Sequence, residues 1–459
     1  MGHTARLKLL RLSDHLIRRN PLYYPRAHRL LARFARLQRA EQHEWRMRAL
    51  REVLAAAGHS AYGRAQGAPG VLGDWPILEK ESLRADPEAF LAPGPWITVA
   101  AATSGTSGTP VNLKRSLSSV AYEQALLDSL LESMGLVPAR CRAAVLRGDD
   151  IKSPADRAPP FWRMANAGRR LIFSSNHLDA HTVGEFVAAL RGYAPEVILA
   201  YPTVLASLCA LMLARGDVLS VPVTVCSSEV LTRELSRLAA SVLGTRVLDY
   251  YGQAERVGFA CGDPEHGYRF EPTYSVNELR FTESTEDADV YELLGTGLWN
   301  RAMPLVRFRT EDRFLLPKDI APTAVADGLA PFHGIIGRSG DFLIAPSGAR
   351  LMGIDHIPRS VPHVVRAQFI QESLEAVTLL VIPAPGFDES CRRLLLTHAS
   401  LKLPPSMRVS IETTSELVRN SSGKAPLVVR RLPQTEEPRQ GVPAGQTSAT
   451  LPKAKSKPN

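Results

Sequence analysis

"EVILAYP" (Glu196–Pro202), "TVLASLCALMLARG" (Thr203–Gly216) and "VTVCSSE" (Val223–Glu229) follow one another along the chain, and their order decides the fold. The outer two are short apolar runs that end in turn-forming or polar residues, as buried strands do; the middle one is long enough for a helix. The same alternation extends both ways. "AAVLRG" (Ala143–Gly148), "LIFSSN" (Leu171–Asn176) and "RVLDYYG" (Arg246–Gly252) read as strands, with "TVGEFVAALRGY" (Thr182–Tyr193) and "TRELSRLAASVLG" (Thr232–Gly244) as helices between them. From about Trp96 to Pro331 the expectation is an α/β sheet with crossover helices. Ligands of such sheets sit beyond the carboxyl ends of the strands, so the residues just after each apolar run matter most.

Near "HGIIGRSGDF" (His333–Phe342) the rhythm changes. A smaller α+β region follows, with strands at "AVTLLVIPA" (Ala376–Ala384) and "MRVSIETT" (Met407–Thr414) and a helix at "DESCRRLLLTHASL" (Asp388–Leu401). Ahead of the sheet, Leu7 to Ala57 has a helical pattern broken by the two prolines of "NPLYYP" (Asn20–Pro25). The expected division is a basic helical segment over 1–60 packed on a large domain over 61–336, then a small domain over 337–434. A tail over 435–459, rich in Pro, Gly, Ser and Lys, has almost nothing to bury and is expected to be disordered.

Composition narrows the class. The chain has 459 residues, 45% of them apolar and 22% charged, as in ordinary soluble globular proteins. No apolar run approaches the roughly 18–20 residues that span a bilayer. The first twenty residues are interrupted by arginines and lack a small-residue cleavage site, and Arg6 stands where a myristoylation signal wants Ser or Thr. Five scattered cysteines form no disulfide framework, so the expected compartment is the cytosol. The net charge of +9 is concentrated: residues 1–52 carry thirteen Lys or Arg against four Asp or Glu. Leu30, Leu31, Phe34 and Leu37 recur there at helical spacing. Such a helix packs its apolar face and solvates its charges, while peripheral membrane contact through 1–52 stays open and no nucleic acid is expected.

Several motifs carry chemistry. In "TSGTSGTPVNLKRS" (Thr103–Ser116) a glycine-rich turn lets backbone N–H groups converge, with the hydroxyls of Thr103, Ser104, Thr106 and Ser107 beside them. That suits a polyphosphate, although no Walker Gly-Lys-Ser/Thr is present. Helical residues begin near Ser119, so the loop is expected to feed a helix N-terminus. In "VLDYYGQAERVGF" the apolar run ends in Tyr250, Tyr251 and Gly252, and Glu255 past the strand end could hold Mg²⁺. In "MPLVRFRTEDRFLL" Asp312 is able to accept hydrogen bonds from a ribose. "GRSGDFLIAPSGARL" marks turns around Arg338, Gly340 and Asp341, as a hinge would, and "NSSGK" displays Lys424 on a turn. His177 and His181 have a metal-ligand spacing, but Leu178 stands where a metalloprotease has Glu, so a surface or capping role is expected. Cys261 and His266 lack a second pair of zinc ligands.

In this order and spacing the motifs resemble the adenylate-forming superfamily, and more narrowly its phenylacetate-CoA ligase and CapK-like subgroup, over about residues 45–433. "SGTSGTP" resembles the phosphate loop, "YYGQAE" the aromatic-glycine-acid motif, "RTED" the ribose segment, "GRSGD" the hinge and "SSGK" the catalytic-lysine motif. "DWPILEKESLR" (Asp74–Arg84) resembles a segment this subgroup carries ahead of its loop. The resemblance implies an α/β adenylation domain with a smaller mobile C-terminal α+β domain. It also implies ATP-dependent activation of a small carboxylic acid to an acyl-adenylate, then transfer to a thiol, CoA being the common one.

By the same resemblance, Thr103, Ser104, Gly105, Thr106, Ser107, Gly108 and Thr109 grip the β- and γ-phosphates. Glu255 holds Mg²⁺, Tyr251 with Gly252 lies near adenine, and Asp312 fixes the ribose, with Arg338 assisting. Lys424 contacts the carboxylate and the α-phosphate, and Gly340 with Asp341 forms the pivot. Tyr201, Pro202, Thr203, Ser227 and Ser228 bound the acid pocket; aryl, fatty and amino acids stay open. Three departures stand out. Glu311 replaces a glycine, which changes the turn. Gly340 replaces a charged pivot, and Lys114 or Arg115 has to supply the charge missing from the loop. The rival readings are a nucleotide-binding protein of this fold without turnover, and transfer of the adenylate to an amine or hydroxyl acceptor in polysaccharide or secondary-metabolite biosynthesis.

Overall fold

The structure, a computed structural model, describes residues 16–102, 111–147, 151–152, 156–338, 342–347, 350–351, 354, 357–358, 361–420 and 424–432. Two helices, Tyr24–Phe34 and Arg39–Gly58, come first. Pro25 lies in the first turn of the former, where its missing N–H costs nothing, so the prolines of "NPLYYP" start this helix. Ala27 and Phe34 are buried, and Leu30 and Leu31 pack beside Tyr122, Ala125 and Tyr274. Arg26, Arg29, Arg33, Arg36 and Arg39 are exposed. Arg19 and Tyr24 anchor this segment: the Arg19 guanidinium donates twice to Asp128 (2.9 and 2.8 Å) and the Tyr24 hydroxyl once (2.7 Å).

Strands β1 (Thr98–Ala102) and β2 (Asn112–Ser116) pair as a hairpin whose connection, 103–110, lies outside the described residues. Helix Leu117–Ser133 follows, its first turn capped by the Ser116 hydroxyl. The expectation that the loop feeds this helix is therefore corrected: β2 stands between them.

The large sheet contains β3 (Ala143–Leu146), β4 (Trp162–Ala165), β5 (Arg170–Phe173), β6 (Val197–Ala200), β7 (Val223–Ser227), β8 (Arg246–Gly252), β9 (Phe259–Asp263) and β10 (Gly267–Phe270). Their order is β10-β9-β8-β7-β6-β3-β5-β4. The five strands foreseen from the apolar runs, β3 and β5–β8, form its parallel centre. Helices Val183–Tyr193, Pro202–Arg215 and Arg233–Leu243 connect them. Val223–Ser227 is buried throughout because helices cover both faces of such a sheet.

A second sheet is an antiparallel meander of β11 (Ser275–Ser284), β12 (Asp289–Gly297), β13 (Phe308–Leu316) and β14 (Gly334–Arg338). The "DWPILEK" segment is strapped to it. The Leu78 N–H donates to Arg307 O and its carbonyl accepts from Arg309 N–H, both at 3.0 Å.

After the short pair β15 (Leu343–Ile344) and β16 (Arg350–Leu351) comes a third sheet. It holds β17 (Val364–Gln371), β18 (Ala376–Pro383), β19 (Arg408–Thr413) and β20 (Val428–Arg430), in the order β19-β18-β17-β20. Helix Glu389–Lys402 buries Cys391, Leu395 and Ala399 in one core with Phe369 and Leu379. Val365, Ile382, Leu417 and Ala425 instead join the core of the large sheet. The architecture is thus mixed α/β, with a large N-terminal part and a smaller C-terminal part.

Candidate active site

A cavity of about 1390 Å³ opens between the carboxyl ends of β7 and β8, the β13–β14 edge and the C-terminal sheet. Ala102, the last residue before Thr103, lines it, as do Tyr251, Gly252, Glu255, Asp312, Ser228 and Lys424. Residues far apart in sequence meet here because parallel strands deliver their following loops to one rim.

Glu255 is 5% exposed, and its Oε2 is buried without a hydrogen-bond partner among the described residues. Tyr251 is 8% exposed, with its ring edge-on to Phe314 and its hydroxyl donating to Asp312 Oδ2 at 2.7 Å. Asp312 faces Arg338 in the β13–β14 register. Glu311, beside it, has φ +62°. Glutamate therefore holds a left-handed conformation that glycine takes freely.

Of Lys114 and Arg115, Arg115 is the one that lines the cavity. Lys114 is 45% exposed and paired with Glu88 at 3.0 Å, away from the cavity lining. Arg115 lines the cavity and donates from Nε (3.0 Å) and Nη2 (2.6 Å) to the Ala254 carbonyl. Burial, with Arg256 next, lowers its pKa.

The expected acid pocket divides. Ser228 lines the cavity, with φ +71°. Tyr201 lies beside Lys424, whose Nζ is 5.7 Å from the ring centroid; the Arg147 guanidinium carbon is 6.0 Å from the same centroid. Tyr201, Pro202, Thr203 and Ser227 do not line this cavity, and the last three are buried. Thr203 is in the first turn of helix Pro202–Arg215, and its N–H and hydroxyl are both consumed by Glu229 (2.8 and 2.6 Å). Thr103–Thr109, Gly340 and Asp341 lie outside the described residues.

The surface role expected for His177 is corrected, whereas His181 lies at the surface as expected. His177 ends a 3₁₀ turn, is fully buried, stacks on Phe161 (centroids 5.3 Å apart) and bonds Ser174 Oγ through Nδ1 at 2.7 Å. His181 is exposed. His266 contacts Asp263 at 2.9 Å.

Asp249 and Glu229 are two of the cavity residues that the sequence did not single out. Asp249 of β8 is 1% exposed. It accepts from Tyr268 at 3.0 Å, while its Oδ1 has no partner among the described residues. Burial pushes its pKa up to about 7. A lone carboxylate inside the apolar run "RVLDYYG" was the available signal. Glu229, one residue past Ser228, is the other; its partners are remote in sequence.

Residues 343–431 match the family model of the CapK C-terminal domain. Protein CapK of Staphylococcus aureus is 21% identical over 320 residues, 69% of this chain and 70% of that protein. The chain is thus similar to CapK over two thirds of its length. Phenylacetate-coenzyme A ligase of Pseudomonas putida is 24% identical over 267 residues, covering 52% of this chain and 58% of that one. A crystal structure of 2-hydroxyisobutyryl-CoA ligase in the postadenylation state, in complex with 2-HIB-AMP, superposes with a TM-score of 0.54 at 14% identity. It covers 86% of this chain and 90% of that one, which establishes the shared fold alone. No helix among the described residues is long and apolar enough to cross a membrane.

Proposed function

We propose that this CapK-like chain activates a carboxylic acid with ATP and passes the acyl group to a thiol such as CoA. The observation that carries the reading is convergence: Glu255, the Tyr251–Asp312 pair, Lys424 and the flank of the 103–110 loop all border one cavity. In the first step a carboxylate oxygen bonds to the α-phosphorus of ATP as the bond to the β-phosphate oxygen breaks. Pyrophosphate leaves with that electron pair. An anion thus approaches a polyanion, and the site has to offset their repulsion.

Each residue has a role in that task. Lys424, on the C-terminal side, brings a positive charge to where charge develops; Arg115 brings another from β2. Asp312, oriented by Tyr251, accepts from the ribose hydroxyls. Asp249 presents an acceptor oxygen with no other partner among the described residues, suited to an amino group on the base. The buried Oε2 of Glu255 suits a hard divalent cation, so Glu255 would hold Mg²⁺. The ion would draw charge from the phosphoryl oxygens. Residues 103–109 would cradle the β- and γ-phosphates, 61–336 would form the adenylation domain, and 337–434 would form the small domain turning about Gly340.

Acid-dependent ATP–pyrophosphate exchange tests this across aryl, fatty, hydroxy and amino acids, starting with phenylacetate, with Lys424→Ala as control. Exchange with one acid class, lost in the variant, is the expected result. Tight ATP binding with no exchange for any class would favour nucleotide binding without turnover.

A further inference from the structure

We propose that Glu229 is the positioning residue of Lys424. The inference rests on the reading that Lys424 acts in acid activation, and concerns what holds that lysine at the cavity. Glu229 follows β7 by two residues, and its side chain is 5% exposed. Its Oε2 accepts from the Thr203 backbone N–H (2.8 Å) and hydroxyl (2.6 Å), in the first turn of helix Pro202–Arg215, where the helix dipole favours a carboxylate. Its Oε1 accepts from the backbone N–H of Ala425 at 2.9 Å, the residue next to Lys424. Arg366 of β17 completes the arrangement. Its Nη2 lies 3.1 Å from Thr203 Oγ1 and 3.4 Å from Glu229 Oε2, and its Nη1 donates to the Val230 carbonyl.

One buried carboxylate therefore ties together a helix start in the N-terminal part, an arginine of the C-terminal sheet and the amide beside Lys424. Lys424 is itself bonded to Asn420, by Asn420 N–H to Lys424 O (2.8 Å) and Lys424 N–H to Asn420 Oδ1 (3.0 Å). Anchoring Ala425 thus anchors the pair that Lys424 makes with Asn420. Tyr201, the ring beside the Lys424 ammonium, is the N-cap of the same helix whose first turn Glu229 holds. The ring and the lysine are set against each other through a single side chain. A carboxylate suits this place because donors converge on both its oxygens. An amide offers one acceptor oxygen and turns two hydrogens toward the remaining donors, so Glu229→Gln keeps the size and breaks the arrangement.

The experiment is hydrogen–deuterium exchange on the full chain, with Glu229→Gln, Arg366→Gln and the double variant beside the wild type. Amides in peptides over 417–431 are expected to exchange at least about tenfold faster in each single variant. The double variant should add little, because the two side chains act in one network. Peptides from helix Glu389–Lys402 should stay unchanged, which separates lost anchoring from failed folding. In ATP–pyrophosphate exchange, Glu229→Gln should lower kcat about a hundredfold, the scale of a misplaced catalytic group, with KM for ATP changed less than about threefold. Thioester formation from supplied acyl-adenylate should survive. Unchanged exchange at 424–428 in both single variants would overturn the proposal, as would a loss confined to KM. If the wild type activates no acid, the activity reading falls, while the amide exchange still decides whether Glu229 holds the backbone beside Lys424.

Discussion

The Tyr251 hydroxyl and the Asp312 carboxylate are joined at 2.7 Å, which ties the end of β8 to the β13 strand across the cavity wall. Gln253 Nε2 donates to the same hydroxyl at 3.2 Å, so the hydroxyl both gives and receives. Removing it takes a donor from a carboxylate only 7% exposed. Tyr251→Phe is expected to cost about 1–3 kcal/mol in denaturant unfolding. It should also raise KM for ATP several-fold, with kcat less affected. An unchanged KM would argue against Asp312 as the ribose acceptor.

Lys424→Ala should separate the two half-reactions. Adenylate formation should fall by about 10²–10³, the usual contribution of a positioned charge at a transition state. Thioester formation from supplied acyl-adenylate should remain near wild type. Equal loss in both halves, measured by single-turnover quench, would contradict the assigned role.

Asp249 imposes a pH dependence on stability. Burial raises its pKa from 3.8 to about 7, so its neutral form favours the folded state. That contribution is full below the unfolded pKa and is lost as pH rises through about 7. At about 1.4 kcal/mol per pKa unit, the wild type should lose a few kcal/mol between pH 4 and pH 8 that Asp249→Asn does not lose. Urea midpoints for both proteins across that range check the sign.

Glu311, at φ +62°, carries a backbone cost that glycine lacks. Glu311→Gly should therefore raise stability by about 1 kcal/mol, while Glu311→Val, β-branched and resistant to positive φ, should lower it. Thermal melts of the pair test the claim, since conformational strain requires opposite signs.

Asp128 holds the arginine-rich segment to the body of the protein. Its side chain is 1% exposed and accepts from Arg19, Tyr24 and Gln124. Asp128→Ala leaves a part-buried guanidinium without its carboxylate and should cost about 3–5 kcal/mol. Limited proteolysis should then cut between residues 16 and 38 before the rest of the chain.

The parallel centre of the large sheet was legible because its strands are buried on both faces and read as unbroken apolar runs. The antiparallel meander was not. β13 alternates buried and partly exposed positions, and Arg309, Glu311 and Arg313 occupy the partly exposed ones, so the stretch reads as a charged loop. β17 was hidden by Arg366, Gln368 and Gln371, polar residues that break its apolar run. At the site, Glu255, Asp312 and Lys424 stand in recognisable short patterns. Glu229 does not, since its partners lie 26, 137 and 196 residues away and only the fold brings them together.

The pairing of β20 with β17 has a consequence for timing. Val428, four residues past Lys424, sits opposite Phe369 on the strand that also carries Arg366. A lysine on an ordinary surface loop would arrive and depart in nanoseconds to microseconds, whereas packed sheets shift as bodies in microseconds to milliseconds. Lys424 is coupled to the slower clock. On the proposed reading, its residence at the cavity would be set by how readily β17 and β18 slide on helices Pro202–Arg215 and Arg233–Leu243.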